Sequence, residues 1–172
     1  EGVRAAKLEL LGGLDPDGVL VMPDDDPALE DALDGRWPGR ILRFGTGPRA
    51  EGRATEIATG LDGSRLTIAG WSQPVTLRAL GPGAVRAALA AVAAARALEL
   101  PIADLAPLAE VAPVEGRLEP REVGGVTWLL DMYNASPEST LANLQFLTAL
   151  PATGRKVFVF GGMRELGAHS EA

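Results

Sequence analysis

Asp131-Met-Tyr-Asn-Ala-Ser-Pro137 sets a carboxylate, a phenol and a carboxamide close together where the apolar run Val126 to Leu130 ends. The run predicts a strand, and Ser136-Pro137 predicts a helix cap followed by the first helical residue. Strand, turn and helix in that order put the polar side chains at a strand's carboxyl end, where open α/β sheets bind ligands. A carboxylate there accepts hydrogen bonds from ribose hydroxyls or holds a metal-bound water. The Tyr-Asn-Ala-Ser-Pro turn taken alone is also ordinary turn chemistry, and Asp131 tilts the reading toward a ligand. A second loop of this kind, Gly161-Gly-Met-Arg-Glu-Leu-Gly167, follows the apolar run Lys156 to Phe160. A Gly-rich loop after a strand is a common and nonspecific phosphate-binding shape.

Other residues able to do chemistry are scattered. Asp24-Asp-Asp26 brings three carboxylates together; they suit a metal, and a capped helix start explains them equally well. Lys7 lies on an N-terminal helical pattern, where a lone lysine is a surface charge. Arg117 follows a glycine in a linker, an ordinary solvated position. His169 is the single histidine, and a solvated position suits it. Cysteine is absent, which removes disulfides and thiol chemistry and fits a cytoplasmic protein.

The elements that must position these residues follow from pattern. With 172 residues the chain buries one good core or two small ones. Val3 to Leu11 predicts a helix ended by Gly12-Gly13, and Val19 to Met22 a buried strand. Asp26-Pro27 opens a helix with Leu29 and Leu33 on one face, and Arg40 to Phe44 is the next strand. Ala54 to Leu80 holds three short, alternating, β-branched segments with Asp62-Gly63 as a hairpin signal, so an antiparallel β-ribbon. Ala84 to Leu98 predicts a strong helix with Val85, Ala88, Val92 and Ala95 inward, and Pro101 to Glu110 a short one. Ala112-Pro-Val-Glu-Gly-Arg117 has linker composition. The helix after Pro137 has Leu141, Leu144 and Leu147 for its buried face, and Lys156 to Phe160 predicts a fully buried strand central in a parallel sheet.

Composition excludes some partners. The net charge of -7 argues against a nucleic-acid-binding face, though a few local donors suffice for a nucleotide. No apolar run approaches the ~20 residues needed to span a bilayer. Glu1 falls within a helical pattern and His169 to Ala172 stops as one begins, so the chain reads as an internal piece of a longer protein.

These segments together resemble the Mur ligases, most nearly the branch that adds D-alanyl-D-alanine to the peptidoglycan precursor. The resemblance implies an α/β chain: residues 1–112 as part of a central ATPase-type domain carrying the β-ribbon, 113–117 as a linker, and 118–172 as the start of a Rossmann-like C-terminal domain. It implies ATP and Mg²⁺ as cofactors. In the family an aspartate two residues before Tyr-Asn-Ala-Asn-Pro lies on the nucleotide side of the domain interface, which here implies Asp131, Tyr133 and Asn134. Leu130 replaces a frequent first aspartate, and Ser136 replaces the second asparagine as a further candidate for substrate contact. Arg117 occupies the family's Gly-Arg, whose guanidinium reaches the ATP phosphates once the domains close; its planar fork of donors suits that role.

Gly2-Val-Arg-Ala-Ala-Lys-Leu-Glu9 is similar to the segment whose lysine carries a carbamate. Lys7 in that form would be an anionic oxygen ligand for Mg²⁺, and carbon dioxide adds only to the neutral amine, so the site must disfavour the ammonium. Gly161-Gly-Met-Arg-Glu-Leu-Gly167 matches a family loop except at Gly162, which implies Met163 and Glu165 near the acceptor dipeptide. Two departures stand out. Pro23 replaces the asparagine before the acidic run, and Gly83, Ala84 and Ala87 replace a histidine and two asparagines near the adenine.

The implied reaction joins D-Ala-D-Ala to UDP-MurNAc-tripeptide through an acyl phosphate, in a monomeric protein with no nucleic-acid partner. Two alternatives stay open: another Mur-type ligase of the folylpolyglutamate or cyanophycin kind, and a degenerate, non-catalytic homologue. The chain holds no Gly-x-x-x-x-Gly-Lys-Ser/Thr loop, so on its own it is expected to be inactive.

Overall fold

A computed structural model describes residues 2–101 and 105–163. The chain packs as two compact units, 1–56, 67–73 and 86–104 in the first and 57–66, 74–85 and 105–172 in the second. Helix α1 (Gly2–Leu8) runs into a 3-10 turn over Glu9–Gly13. Strand β1 (Val19–Pro23) and helix α2 (Pro27–Leu33) follow, then β2 (Arg40–Gly45), β3 (Gly52–Gly60), β4 (Gly63–Ile68), β5 (Val75–Leu77) and α3 (Gly81–Ala97). A 3-10 turn (Ala106–Glu110), strands β6 (Glu119–Val123) and β7 (Val126–Leu130), and helix α4 (Pro137–Ala149) complete the described elements. The first five strands are hydrogen-bonded in the order β1-β2-β3-β4-β5. The expected mixed α/β architecture is what forms. No described helix is long and apolar enough to cross a membrane.

The first unit is built on parallel pairing. Strand β1 runs beside β2 with Val19 opposite Arg40 and Pro23 opposite Phe44, and β2 pairs with β3 at Phe44–Gly52 and Gly45–Arg53. Pro23 ends β1, and the Asp26 side chain accepts a hydrogen bond from Leu29 N–H at 2.9 Å, which caps α2. Met22, Leu42 and Phe44 are buried in the sheet, as are Ala88, Leu89, Val92 and Ala93 on α3. Leu89 and Ala93 join the stripe expected from Val85, Ala88 and Val92.

The second unit holds the ribbon's outer half. Strands β4 and β5 pair antiparallel, Ser64 opposite Leu77 and Leu66 opposite Val75, with Leu66, Val75 and Leu77 buried. The ribbon read from β-branched alternation is therefore present. A separate core of Leu80, Leu118, Phe146 and Leu150, with Leu129 against it, joins the start of α3 to the β6–β7 hairpin and α4.

Three expectations are corrected. Residues 156–160 form no strand, and Val157 to Phe160 are exposed, Val159 by 83%. A strand exists only through a neighbour that pairs with it, and among the described residues none pairs with this run. Leu141 is 58% exposed, and the buried positions of α4 and its end are Phe146 and Leu150, with Leu144 and Leu147 half-buried. The helix expected over 101–110 is a 3-10 turn at Ala106–Glu110, and residues 102–104 lie outside the described residues. The β6–β7 hairpin was not anticipated. Its turn is Gly124-Gly125, with φ of +61° and +74°, the left-handed pair that a tight two-residue hairpin requires.

Candidate functional site

In the second unit the segment Val114 to Leu118 folds against the end of β7. Gly116 adopts φ +68° and Leu118 φ +45°. The Gly116 carbonyl accepts from Met132 N–H at 2.8 Å and Tyr133 N–H at 3.3 Å. Leu118 in the left-handed region costs about 1–3 kcal/mol. That conformation lets its side chain enter the Leu80, Phe146 and Leu150 core while its N–H turns to Asp131. Backbone strain of this kind gathers at functional sites.

The polar groups meet on this frame. Arg117 lies over the Tyr133 ring, its Cζ 4.2 Å from the centroid, a cation–π arrangement. Asp131 accepts from Leu118 N–H at 3.4 Å through Oδ1 and from the Asn143 amide at 2.6 Å through Oδ2. Glu119 accepts from Gly116 N–H at 3.2 Å and pairs with Arg121 at 2.8 Å. The Gly116 donor, then Arg121, holds the Glu119 carboxyl below its ordinary range. Asn134 turns its side-chain oxygen to Ala135 N–H at 2.8 Å. Ser136 caps α4, accepting from Ser139 N–H at 3.2 Å while Ser139 Oγ accepts from Ser136 N–H at 3.0 Å. The structure thus gathers Arg117, Asp131, Tyr133 and Asn134 along two facing segments, and gives Ser136 a capping role.

Asn143 escaped the sequence reading. Its signal was present: positions 140, 143, 144 and 147 follow the spacing of a half-buried stripe on α4, and an amide on such a stripe calls for a partner.

In the first unit, charged groups collect at the carboxyl ends of β1 and β2. Glu30 pairs with Arg43 at 2.8 Å and with Arg49 at 3.3 Å. The Arg43 hydrogen bond holds the Glu30 carboxyl below its ordinary value against the opposing effect of burial. Asp25 pairs with Arg86 through both oxygens, at 2.9 and 3.0 Å, and Arg86 sits 5.9 Å from the Phe44 ring centre. Asp26 is the α2 cap. Asp24 is 8% exposed, and among the described residues neither carboxylate oxygen has a hydrogen-bond partner. Its oxygens lie against Gly45 and Gly47, where an added Cβ would fall 1.8 and 2.2 Å from them.

Lys7 is exposed in the last turn of α1 and borders an apolar cavity of about 100 Å³ lined by Leu11, Leu20, Met22, Leu29 and Leu33 among others. Among the described residues no three His, Cys, Asp or Glu side chains cluster as a metal site. Met163 is half-buried at the end of the described chain; Glu165 and His169 lie outside the described residues. Gly83, Ala84 and Ala87 occupy the first turns of α3.

No protein-family model matches the chain. The chain is 34% identical to the UDP-N-acetylmuramoyl-tripeptide–D-alanyl-D-alanine ligase of Bacillus subtilis over 169 residues, 97% of this chain and 36% of that protein. It is similar in structure to MurF from Acinetobacter baumannii, with a TM-score of 0.71 at 29% identity over 86% of this chain and 33% of that one. The chain belongs to the Mur ligase family. The fold is also that of the MurF ligase from Thermotoga maritima solved in complex with ADP, with a TM-score of 0.69 at 24% identity over 84% of this chain and 34% of that one. The chain spans about a third of the length of the curated relatives it matches.

Proposed function

We propose that this chain is part of an ATP-dependent ligase that adds D-alanyl-D-alanine to UDP-MurNAc-tripeptide. The observation that carries the reading is similarity along nearly the whole chain to proteins named for that reaction, at 34% identity in one case and 32% in another. It favours this branch over a folylpolyglutamate or cyanophycin-type ligase. The local geometry supports it as well. Arg117, Asp131, Tyr133 and Asn134 lie on two adjoining segments, with both of the first two side chains exposed.

Arg117 would bind nucleotide phosphates, and Asp131 would accept from ribose hydroxyls. Bound ATP would supply the phosphoryl group that activates the tripeptide's terminal carboxylate, after which the dipeptide amine displaces phosphate to leave an amide. Met163, Glu165 and Ser136 remain our candidates for substrate contact, and 113–117 our candidate linker. A Lys7 carbamate would offer anionic, carboxylate-like oxygen to Mg²⁺. Among the described residues no three His, Cys, Asp or Glu side chains cluster to complete such a site. A monomeric, cytoplasmic protein belongs to the same proposal.

The test is phosphate release by the full-length protein that carries this chain. Release from ATP that requires both D-Ala-D-Ala and UDP-MurNAc-tripeptide is expected; ATP turnover indifferent to either substrate would contradict the reading. One observation favours a second reading, a non-catalytic homologue: Gly83, Ala84 and Ala87 carry no polar side chain, and Arg86, the charged residue among them at the start of α3, is already paired with Asp25. That reading predicts no turnover with any substrate pair.

A further inference from the structure

The Asp131 carboxylate is exposed, yet each of its oxygens already accepts one donor from the protein. Leu118 N–H reaches Oδ1 at 3.4 Å, a long bond, and the Asn143 amide reaches Oδ2 at 2.6 Å, a short one. The two anchors differ in kind. Leu118 is fixed by its own left-handed backbone, φ +45°, and by its place in the Leu80, Phe146 and Leu150 core. Asn143 is a side chain on α4, twelve residues along the chain from Asp131, with no backbone need that it satisfies. An aspartate without such an anchor turns about its two side-chain bonds. One held at both oxygens presents its remaining lone pairs in a fixed plane. Two neighbouring oxygens with one free acceptor site each suit paired hydroxyl donors, as on the vicinal diol of a ribose.

We infer that Asn143 is a positioning residue for Asp131, holding the carboxylate in the orientation that receives a vicinal diol. The inference rests on the nucleotide-side reading of Asp131 given above. Asn143 touches no substrate; it acts by removing the rotational freedom that binding would otherwise have to remove. Freezing one such side chain in advance corresponds to up to about a tenfold gain in affinity, which the loss of the Asn143 anchor would forfeit.

The test uses the full-length protein and three variants, Asn143→Ala, Asn143→Asp and Asp131→Ala. Asn143→Asp keeps the side chain's shape and its packing on α4 but offers Asp131 a like charge in place of a donor. Both Asn143 variants are expected to raise KM for ATP about tenfold, to leave kcat within about twofold and to leave Tm within ~2 °C of the parent. An unchanged KM for ATP in both overturns the inference. So does a joint fall in Tm and kcat, which marks a merely structural residue. Asp131→Ala separates the two levels. If it weakens ATP binding while the Asn143 variants do not, the positioning role alone is wrong; if it has no effect, the site reading fails and takes the inference with it.

Discussion

Replacing Asp24 with alanine should make the protein more stable. The Asp24 side chain is buried, each of its oxygens has less than 1 Å² exposed, and neither meets a donor among the described residues. A buried polar atom left without a partner costs about 1–3 kcal/mol, and Asp24 has two. Against that stand two losses. Removing the carboxylate leaves a small void worth about 1 kcal/mol. It also removes the attraction to Arg43, which is the weakest of the charge effects on that guanidinium and comes after Glu30 and Glu51. The net expectation is a gain of roughly 1–3 kcal/mol. For a chain of this size that is a rise in Tm of about 2–4 °C per kcal/mol. Urea denaturation followed by circular dichroism reads it directly, with an unchanged m value as the check that only the native state moved. Destabilisation by more than ~1 kcal/mol would refute the reasoning, because it would mean that the carboxylate is satisfied by a partner that its neighbours in the fold do not reveal. Gly45→Ala is the companion test. Its Cβ would fall 1.8 Å from Asp24 Oδ1, so it should destabilise the parent and do so less once Asp24 is alanine, a coupling that a double-mutant cycle measures.

Three further outcomes follow from named contacts. Ser136→Ala removes half of the reciprocal cap on α4 and should cost about 1 kcal/mol in thermal or urea unfolding. Phe146→Ala empties the centre of the Leu80, Leu118 and Leu150 core and should cost about 3–5 kcal/mol, with hydrogen exchange accelerating in β6, β7 and α4 before the β1–β2 sheet. Glu30 gives a pH signature. Its folded carboxyl lies below the ordinary value of 4.5 because Arg43 donates to it. The ion pair therefore stabilises fully above that value, and its contribution is lost as pH falls from 4.5 through the depressed folded value. Glu30→Gln should cost about 1 kcal/mol at pH 7, and the gap to the parent should close on acidification in parallel stability curves.

Local chemistry was legible in the sequence wherever it is decided locally. Asp26 before Pro27 and Ser136 before Pro137 announced two helix starts, and both side chains cap as their types demand. The alternating β-branched segments announced the ribbon. The failures share one cause, which is that burial depends on partners distant in the chain. An apolar run such as Val157 to Phe160 states that the segment suits a sheet interior, not that flanking strands exist to hold it. Leu141 and Phe146 are both apolar on α4, and only the position of Leu80 and Leu118 decides which of them is covered. The Gly124-Gly125 dipeptide signals a hairpin, whereas the flanking strand Glu119–Val123 is charged and contains a proline and so lacks a strand's sequence pattern. At the candidate site, Asp131 stands out by type and place and Arg117 only through the family resemblance, whereas Asn143 and the Leu118 backbone meet Asp131 only through tertiary proximity.

On the function proposed above, Arg117 and Asp131 carry the nucleotide side of a ligase. Calorimetric titration of ATP into the full-length protein, beside its Arg117→Ala variant, tests it most directly. A saturable binding isotherm is expected for the parent, weakened about tenfold or more in the variant through loss of guanidinium–phosphate contacts. Absence of any ATP binding by the parent, or equal affinity in the two proteins, would contradict it.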